Sequence, residues 1–158
     1  MEELVRLESL IIKGIKNVEY GEITFDEMTK IKEHKLDDFN CVLGIYGQNG
    51  SGKTTALETT KILKSILSGE GLPQDIHQYI SNESQHAEIE CTFYIKTQSF
   101  EQLITYTTAI SQIQKENNYI YDIVYEKMIS KEYNKSEDKW LSQKILFEVE
   151  NNEIVLKK

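Results

Sequence analysis

Residues 39–67 read Phe39-Asn40-Cys41-Val42-Leu43-Gly44-Ile45-Tyr46-Gly47-Gln48-Asn49-Gly50-Ser51-Gly52-Lys53-Thr54-Thr55-Ala56-Leu57-Glu58-Thr59-Thr60-Lys61-Ile62-Leu63-Lys64-Ser65-Ile66-Leu67. An apolar strand candidate, Cys41 to Tyr46, runs into a glycine-rich turn, and an amphipathic helix candidate follows. In that helix Ala56, Leu63, Ile66 and Leu67 recur at helical spacing, while Glu58, Lys61 and Ser65 take the other side. The turn has the form of a phosphate-binding loop. Gly47 and Gly52 bracket four residues, so the backbone can curl into a nest whose N–H groups face an anion. Lys53 then places an ammonium against β and γ phosphates, the Thr54 hydroxyl suits Mg²⁺, and the positive end of the helix points the same way. A chance match to this spacing is expected only about once in two hundred chains of this length. Gly47, Gln48, Asn49, Gly50, Ser51, Gly52, Lys53, Thr54 and Thr55 are therefore the candidate site.

Working outward, residues 4–13 alternate as a strand, residues 14–18 interrupt it, and residues 22–25 resume a two-residue period, giving a hairpin or meander. Residues 26–40 are polar and read as a connection. The helix is expected to stop at Ser68-Gly69, with glycine as a left-handed cap. Leu67-Ser68-Gly69-Glu70-Gly71 imitates the signature of ATP-binding cassettes, but it ends the loop's helix instead of opening a later one, so it reads as cap and turn. Residues 69–86, which hold the chain's one proline, form a second connection around a short helix from Gln74 to Ile80. Ala87, Ile89, Cys91, Phe93 and Ile95 then alternate with polar residues as a strand. Leu103 to Ile110, Tyr119 to Met128, Lys144 to Glu150 and Glu153 to Leu156 are further strand candidates, with turns at residues 115–118 and at Asn151-Asn152. The second half is thus a run of antiparallel strands.

Composition narrows the function. The 158 residues, 39% hydrophobic and 28% charged, suit one compact domain, residues 1–158. No apolar run reaches the roughly 20 residues of a membrane span, and Met1-Glu2-Glu3 opens no signal peptide. The expectation is a cytoplasmic protein without a membrane partner. The net charge of −8 gives no general attraction for nucleic acid. Arg6 is the only arginine, which argues against a self-sufficient phosphoryl-transfer enzyme. Cys41 and Cys91 fall in strand candidates as small buried hydrophobes, and His34, His77 and His86 stand in polar connections as surface residues. No four-residue apolar run ends in aspartate. Tyr119-Ile120-Tyr121-Asp122 comes nearest but alternates like an exposed antiparallel strand. Asn134-Lys135-Ser136-Glu137 lacks the aspartate of a guanine-specificity motif and reads as a turn, and Trp140 just after it reads as a packing anchor.

The order Leu7-x-x-Leu10-x-Ile12-Lys13-x-Ile15-Lys16-Asn17, a β segment ending at Phe25, and Val42 to Glu58 resembles the amino-terminal lobe of ATP-binding-cassette ATPases of the SMC, RecF and OLD kind, closest to AAA-type ATP-binding proteins of bacterial abortive-infection and phage-defence systems. The resemblance implies ATP and Mg²⁺ at the phosphate loop, with Thr54 on the metal and Lys16 and Asn17 near the nucleotide. It also implies completion by the remainder of an ATPase head or a second head, and coupling to an effector protein or to DNA. The acidic strand end, the signature and the switch histidine have no counterpart here, and Gln112 and Gln143 are the candidates for the glutamine-containing loop. The expected fold is an α/β phosphate-loop NTPase lobe, with a mixed, largely antiparallel sheet packed on the loop's helix. Two alternatives stand beside it. One is a complete small kinase or GTPase of the phosphate-loop class; the other is a non-catalytic interaction domain with a vestigial loop.

Overall fold

The computed structural model describes residues 3–25, 44–81, 83–116, 118–151 and 153–155. The 26–40 connection with His34, the Cys41-Val42-Leu43 half of the apolar run, and Asn152 and Leu156 of the last hairpin lie outside the described residues. Strands β1 (Leu4–Ile15), β2 (Val18–Thr24), β3 (His86–Lys96), β4 (Glu101–Lys115), β5 (Asn118–Asn134), β6 (Lys139–Trp140), β7 (Lys144–Glu150) and β8 (Glu153–Ile154) form one sheet in the order β2-β1-β3-β4-β5-β7-β8, with β6 paired to β5. Helix α1 (Lys53–Leu67) and a 3-10 turn (Ile76–Gln78) lie between β2 and β3.

This corrects the expected α/β class. Every strand pair among the described residues is antiparallel, so the fold is a β-rich antiparallel sheet carrying one helix. One cause lies in β1, which has β2 on one edge and β3 on the other, so no parallel strand can pair with β1. From β3 onward short turns join neighbours, and short turns permit only antiparallel pairing. Residues 44–46, the described end of the apolar run, are not a strand and stand exposed, Tyr46 at 93%.

Elsewhere the strands follow the alternation, whereas the short helix expected from Gln74 to Ile80 is a 3-10 turn of three residues and the last strand shrinks to Glu153–Ile154. In β4 and β5 the tyrosine, threonine and isoleucine pattern runs past Ile110 and Met128, and the two strands pair from Gln102↔Glu132 to Lys115↔Asn118. One face of the sheet carries Leu10, Ile12, Ala87, Ile89, Cys91, Tyr106 and Ile110, and these pack against Ala56, Ile62 and Leu63 of α1 and Ile76, Tyr79 and Ile80 after it. The other face is polar and pairs across strands: Lys13 with Glu88 at 2.6 Å, Thr92 with Thr105, Thr107 with Glu90, and Lys127 with Glu148. Ser68 caps α1 and Gly69 follows in the left-handed region at φ 80°, as the cap preference requires. Among the described residues no helix is long and apolar enough to cross a membrane.

A shift in register between Leu7 and Ser9 places Glu8 in a bulge of β1, where it is 1% exposed. Nearby Tyr94 is buried with Leu4, Leu103 and Trp140 around it, and its hydroxyl donates to the buried Glu101 carboxylate at 2.7 Å. Trp140 also meets Tyr133 edge-on, with centroids 5.3 Å apart, which makes it the packing anchor of the β5–β6 turn.

Burial, and then the bond to a carboxylate, push the Tyr94 and Tyr106 hydroxyls well above the ordinary phenol range. Burial with the charge of Glu90 pushes the Cys91 thiol from 9.0 to about 12. A group held above its unfolded value stabilises the fold fully below that unfolded value and loses the contribution as pH rises toward the folded one. Stability is therefore expected to hold up to about pH 9 and to fall between about pH 9 and 12 as the unfolded chain ionises first. Urea midpoints at pH 7, 9 and 11 check this, with Tyr106→Phe giving a shallower alkaline fall. A midpoint that stays level to pH 11 would contradict the burial of these protons.

Candidate functional site

The loop forms because three glycine-rich positions let the backbone turn back on itself ahead of the helix. Gly50 and Gly52 both sit at φ 86°, where a side chain is strained, and the Ser51 amide donates to the Gln48 carbonyl at 3.2 Å. A Cβ on Gly52 would also come within 2.9 Å of Val18 Cγ2, so glycine is needed there for conformation and for space. Gly52 is the N-cap of α1 and supplies no capping side chain; the first intrahelical bond runs from Ala56 N–H to Gly52 C=O at 3.1 Å. The first-turn amides of Lys53, Thr54 and Thr55 are thus unshared among the described residues, and no acid stands in that turn to occupy them.

The Lys53 ammonium folds over the loop, donating to the carbonyls of Gly47 and Gln48 at 2.6 Å each. An ammonium has three protons, so one donor remains for an anion in the curl. Thr54 is exposed at the helix start, whereas Thr55 is only 2% exposed and belongs to the packed interface under α1. Of the two threonines, Thr54 is therefore the one whose hydroxyl is open to a metal. Gly47 to Ser51 are all exposed.

Lys16 and Asn17 form the turn between β1 and β2, and the fold brings Asn17 to the loop and Lys16 to α1 and Tyr79. Asn17 Nδ2 donates to the Gly50 carbonyl at 2.7 Å. The Lys16 ammonium meets Glu58 Oε1 of α1 at 2.5 Å and lies 5.4 Å over the Tyr79 ring, so its charge is spent on the scaffold. The Lys16 amide donates to the Tyr79 carbonyl at 2.7 Å, and Lys61, bonded to the Tyr79 hydroxyl, pairs with Asp75. Neither this brace nor the role of Tyr79 is visible in sequence. A two-residue turn carries no signal for what its tip faces more than thirty positions later.

A cavity of about 620 Å³ opens beside the loop, lined by Asn17, Val18, Tyr20, Tyr46, Gly52 and Lys53 among others. A second, of about 850 Å³, continues from Asn17 and Val18 toward Lys13, Ser84 and His86. The other sequence candidates lie elsewhere. Gln112 borders a separate hollow with Tyr119 and Tyr121, Gln143 is exposed between β6 and β7, and the Asp122 carboxylate accepts the Ile123 amide within β5. His77 is exposed in the 3-10 turn, and His86 Nδ1 is 2.6 Å from the Ser111 hydroxyl. Among the described residues no group of three or more histidine, cysteine, aspartate or glutamate side chains is placed to hold a metal, so a metal here would rest on Thr54 and on its phosphate ligand.

The residues fit a polyphosphate. Left-handed glycines, unshared first-turn amides and an ammonium with one proton to spare all lie on one exposed curl, and Glu58, the first acid of α1, is paired with Lys16; Glu19 and Glu22 line the cavity beside the loop. Compared with protein-family models, with curated proteins and with solved structures, the chain matches none.

Proposed function

We propose that the chain binds ATP with Mg²⁺ through Gly47 to Thr55, as the nucleotide-binding part of a larger ATPase of the SMC, RecF and OLD kind. The observation that carries this is the curl itself: GxxxxGKT spacing, Gly50 and Gly52 left-handed, the first-turn amides unshared and Lys53 folded over the loop. Lys53 supplies positive charge to the phosphates, the amides supply directed donors, and the Thr54 hydroxyl supplies one oxygen to Mg²⁺. Bound Mg²⁺ would neutralise charge between the β and γ phosphates.

Binding is favoured over turnover. Hydrolysis calls for an acid that completes the metal shell and a group that orients water. Glu58 is paired with Lys16, and Glu22 accepts the Tyr20 hydroxyl. Turnover then depends on groups from the rest of the ATPase head or from a second head, and the nucleotide state is coupled to an effector protein or to DNA.

Thermal unfolding with and without Mg-ATP tests the reading. At 100 times its dissociation constant a ligand adds about 2.7 kcal/mol, which raises Tm by about 5–10 °C in a domain of this size. Thr54→Ala should lose most of the difference between ATP with and without Mg²⁺. No shift at millimolar Mg-ATP would favour a vestigial loop, and rapid turnover by the chain alone would favour a complete kinase or GTPase.

A further inference from the structure

We propose that Asn17 is a positioning residue for the phosphate loop: by holding the Gly50 carbonyl, it keeps that acceptor turned away from an anion and leaves the Ser51 N–H on the Gln48 carbonyl, so that the curl stays closed. This rests on the phosphate-binding reading above and goes further, because it assigns the loop's competent shape to a side chain on a different element.

Gly50 is the least supported point of the curl. Its φ of 86° is one that glycine adopts and leaves cheaply, and a Cβ built there would meet no atom within 4 Å, so no packing holds the residue. Within the loop, the Gly50–Ser51 peptide is held by the Ser51 N–H to Gln48 C=O bond alone, at 3.2 Å. The bond from Asn17 Nδ2, at 2.7 Å, comes from outside and is the shorter of the two. Carbonyl and amide of one peptide point opposite ways. With the Gly50 oxygen fixed on Asn17, the Ser51 N–H turns inward and closes the curl. If that peptide turned over, its carbonyl oxygen would face the space meant for phosphate and repel it.

Asn17 can do this because its own backbone is braced. Ile15 pairs with Val18 across the turn, the Lys16 amide is held by the Tyr79 carbonyl, and the Lys16 ammonium is tied to Glu58 of α1. The clamp is thus anchored to the sheet, to the segment after the helix and to the helix itself. Lys16, committed to Glu58 and to the Tyr79 ring, keeps the tip in place without reaching the loop's carbonyls.

The experiment measures affinities of the full chain for Mg-ATP and for Mg-tripolyphosphate, well below Tm, for wild type, Asn17→Ala, Asn17→Asp and Lys53→Ala. Asn17→Ala should weaken both probes by the same factor, about tenfold, with the ligand-free Tm unchanged because Asn17 is exposed. Asn17→Asp keeps the shape but replaces the donor with a charged acceptor, so it should weaken both further, by about 100-fold. A merely structural role would lower Tm and leave affinity measured well below it unmoved. Wild-type affinity in Asn17→Ala, with binding lost in Lys53→Ala, would overturn the clamp and leave the site standing. Loss for ATP but not for tripolyphosphate would also overturn it, placing Asn17 on the nucleoside. If wild type binds neither probe, or Lys53→Ala binds both unchanged, the reading of the loop fails and the clamp with it.

Discussion

Replacing Lys53 by alanine is expected to raise the dissociation constant for Mg-ATP by at least about 100-fold while leaving the ligand-free fold nearly as stable. Hydrogen bonds to charged groups contribute about 1.5–3 kcal/mol each, and about 1.4 kcal/mol is a factor of ten in affinity. The ammonium sits over an exposed loop on the carbonyls of Gly47 and Gln48, so its loss opens no core. Arginine should rescue poorly, since a planar fork does not replace a compact ammonium inside a small curl. Calorimetric titration of both variants decides it. Unchanged affinity in Lys53→Ala would move the site off this loop.

The largest loss of stability should come from Ile62→Ala. Ile62 is fully buried where α1 meets the sheet, within the cluster formed by Leu10, Ile12, Ile89 and Leu63. Such truncations cost about 2–5 kcal/mol through lost transfer energy and the cavity left behind. In a domain of this size that lowers Tm by about 2–4 °C per kcal/mol. Leu57, on the outer side of the same helix and 65% exposed, provides the contrast: Leu57→Ala should change stability by no more than about 0.5 kcal/mol. Because α1 begins at the loop, Ile62→Ala should also weaken Mg-ATP binding, whereas Leu57→Ala should not. Urea unfolding of the two variants measures the difference. A loss below about 1 kcal/mol for Ile62→Ala would mean that the helix is not seated on the sheet as described.

Local patterns were the legible part. Helical spacing located α1, the glycine cap located its end, and unbroken alternation located β3 and the strands after it. The topology departs from the sequence reading at Gly44 to Tyr46, which are not a strand. An apolar run before a glycine-rich turn is the usual mark of a buried parallel strand, but strand formation needs a partner edge. One edge of β1 is taken by its hairpin partner β2 and the other by β3, whose pairing residues lie some eighty positions away. No window around Tyr46 contains that information. The left-handed glycines of the loop are equally local, since the turn they permit is set by residues next to one another. What braces the loop is not, because Asn17, Glu58 and Tyr79 are brought together only by the packing of three elements. The place of Glu8 was hidden too, because the register shift between Leu7 and Ser9 breaks the alternation there and leaves no mark in the sequence.

The pairing of β1 with β3 carries a consequence for the order of assembly. From β3 to β8 each strand finds a partner close by in the chain, β7 reaching past the two-residue β6 to β5, so this meander can zip up by short closures. The β1–β3 ladder instead has to bridge the whole excursion through the loop, α1 and the 3-10 turn before it is rewarded by contacts. The glycine-rich loop therefore belongs to the part of the molecule expected to dock last. A ligand seated there would act as a latch on that final step, joining the amino-terminal hairpin and the helix to a meander already formed.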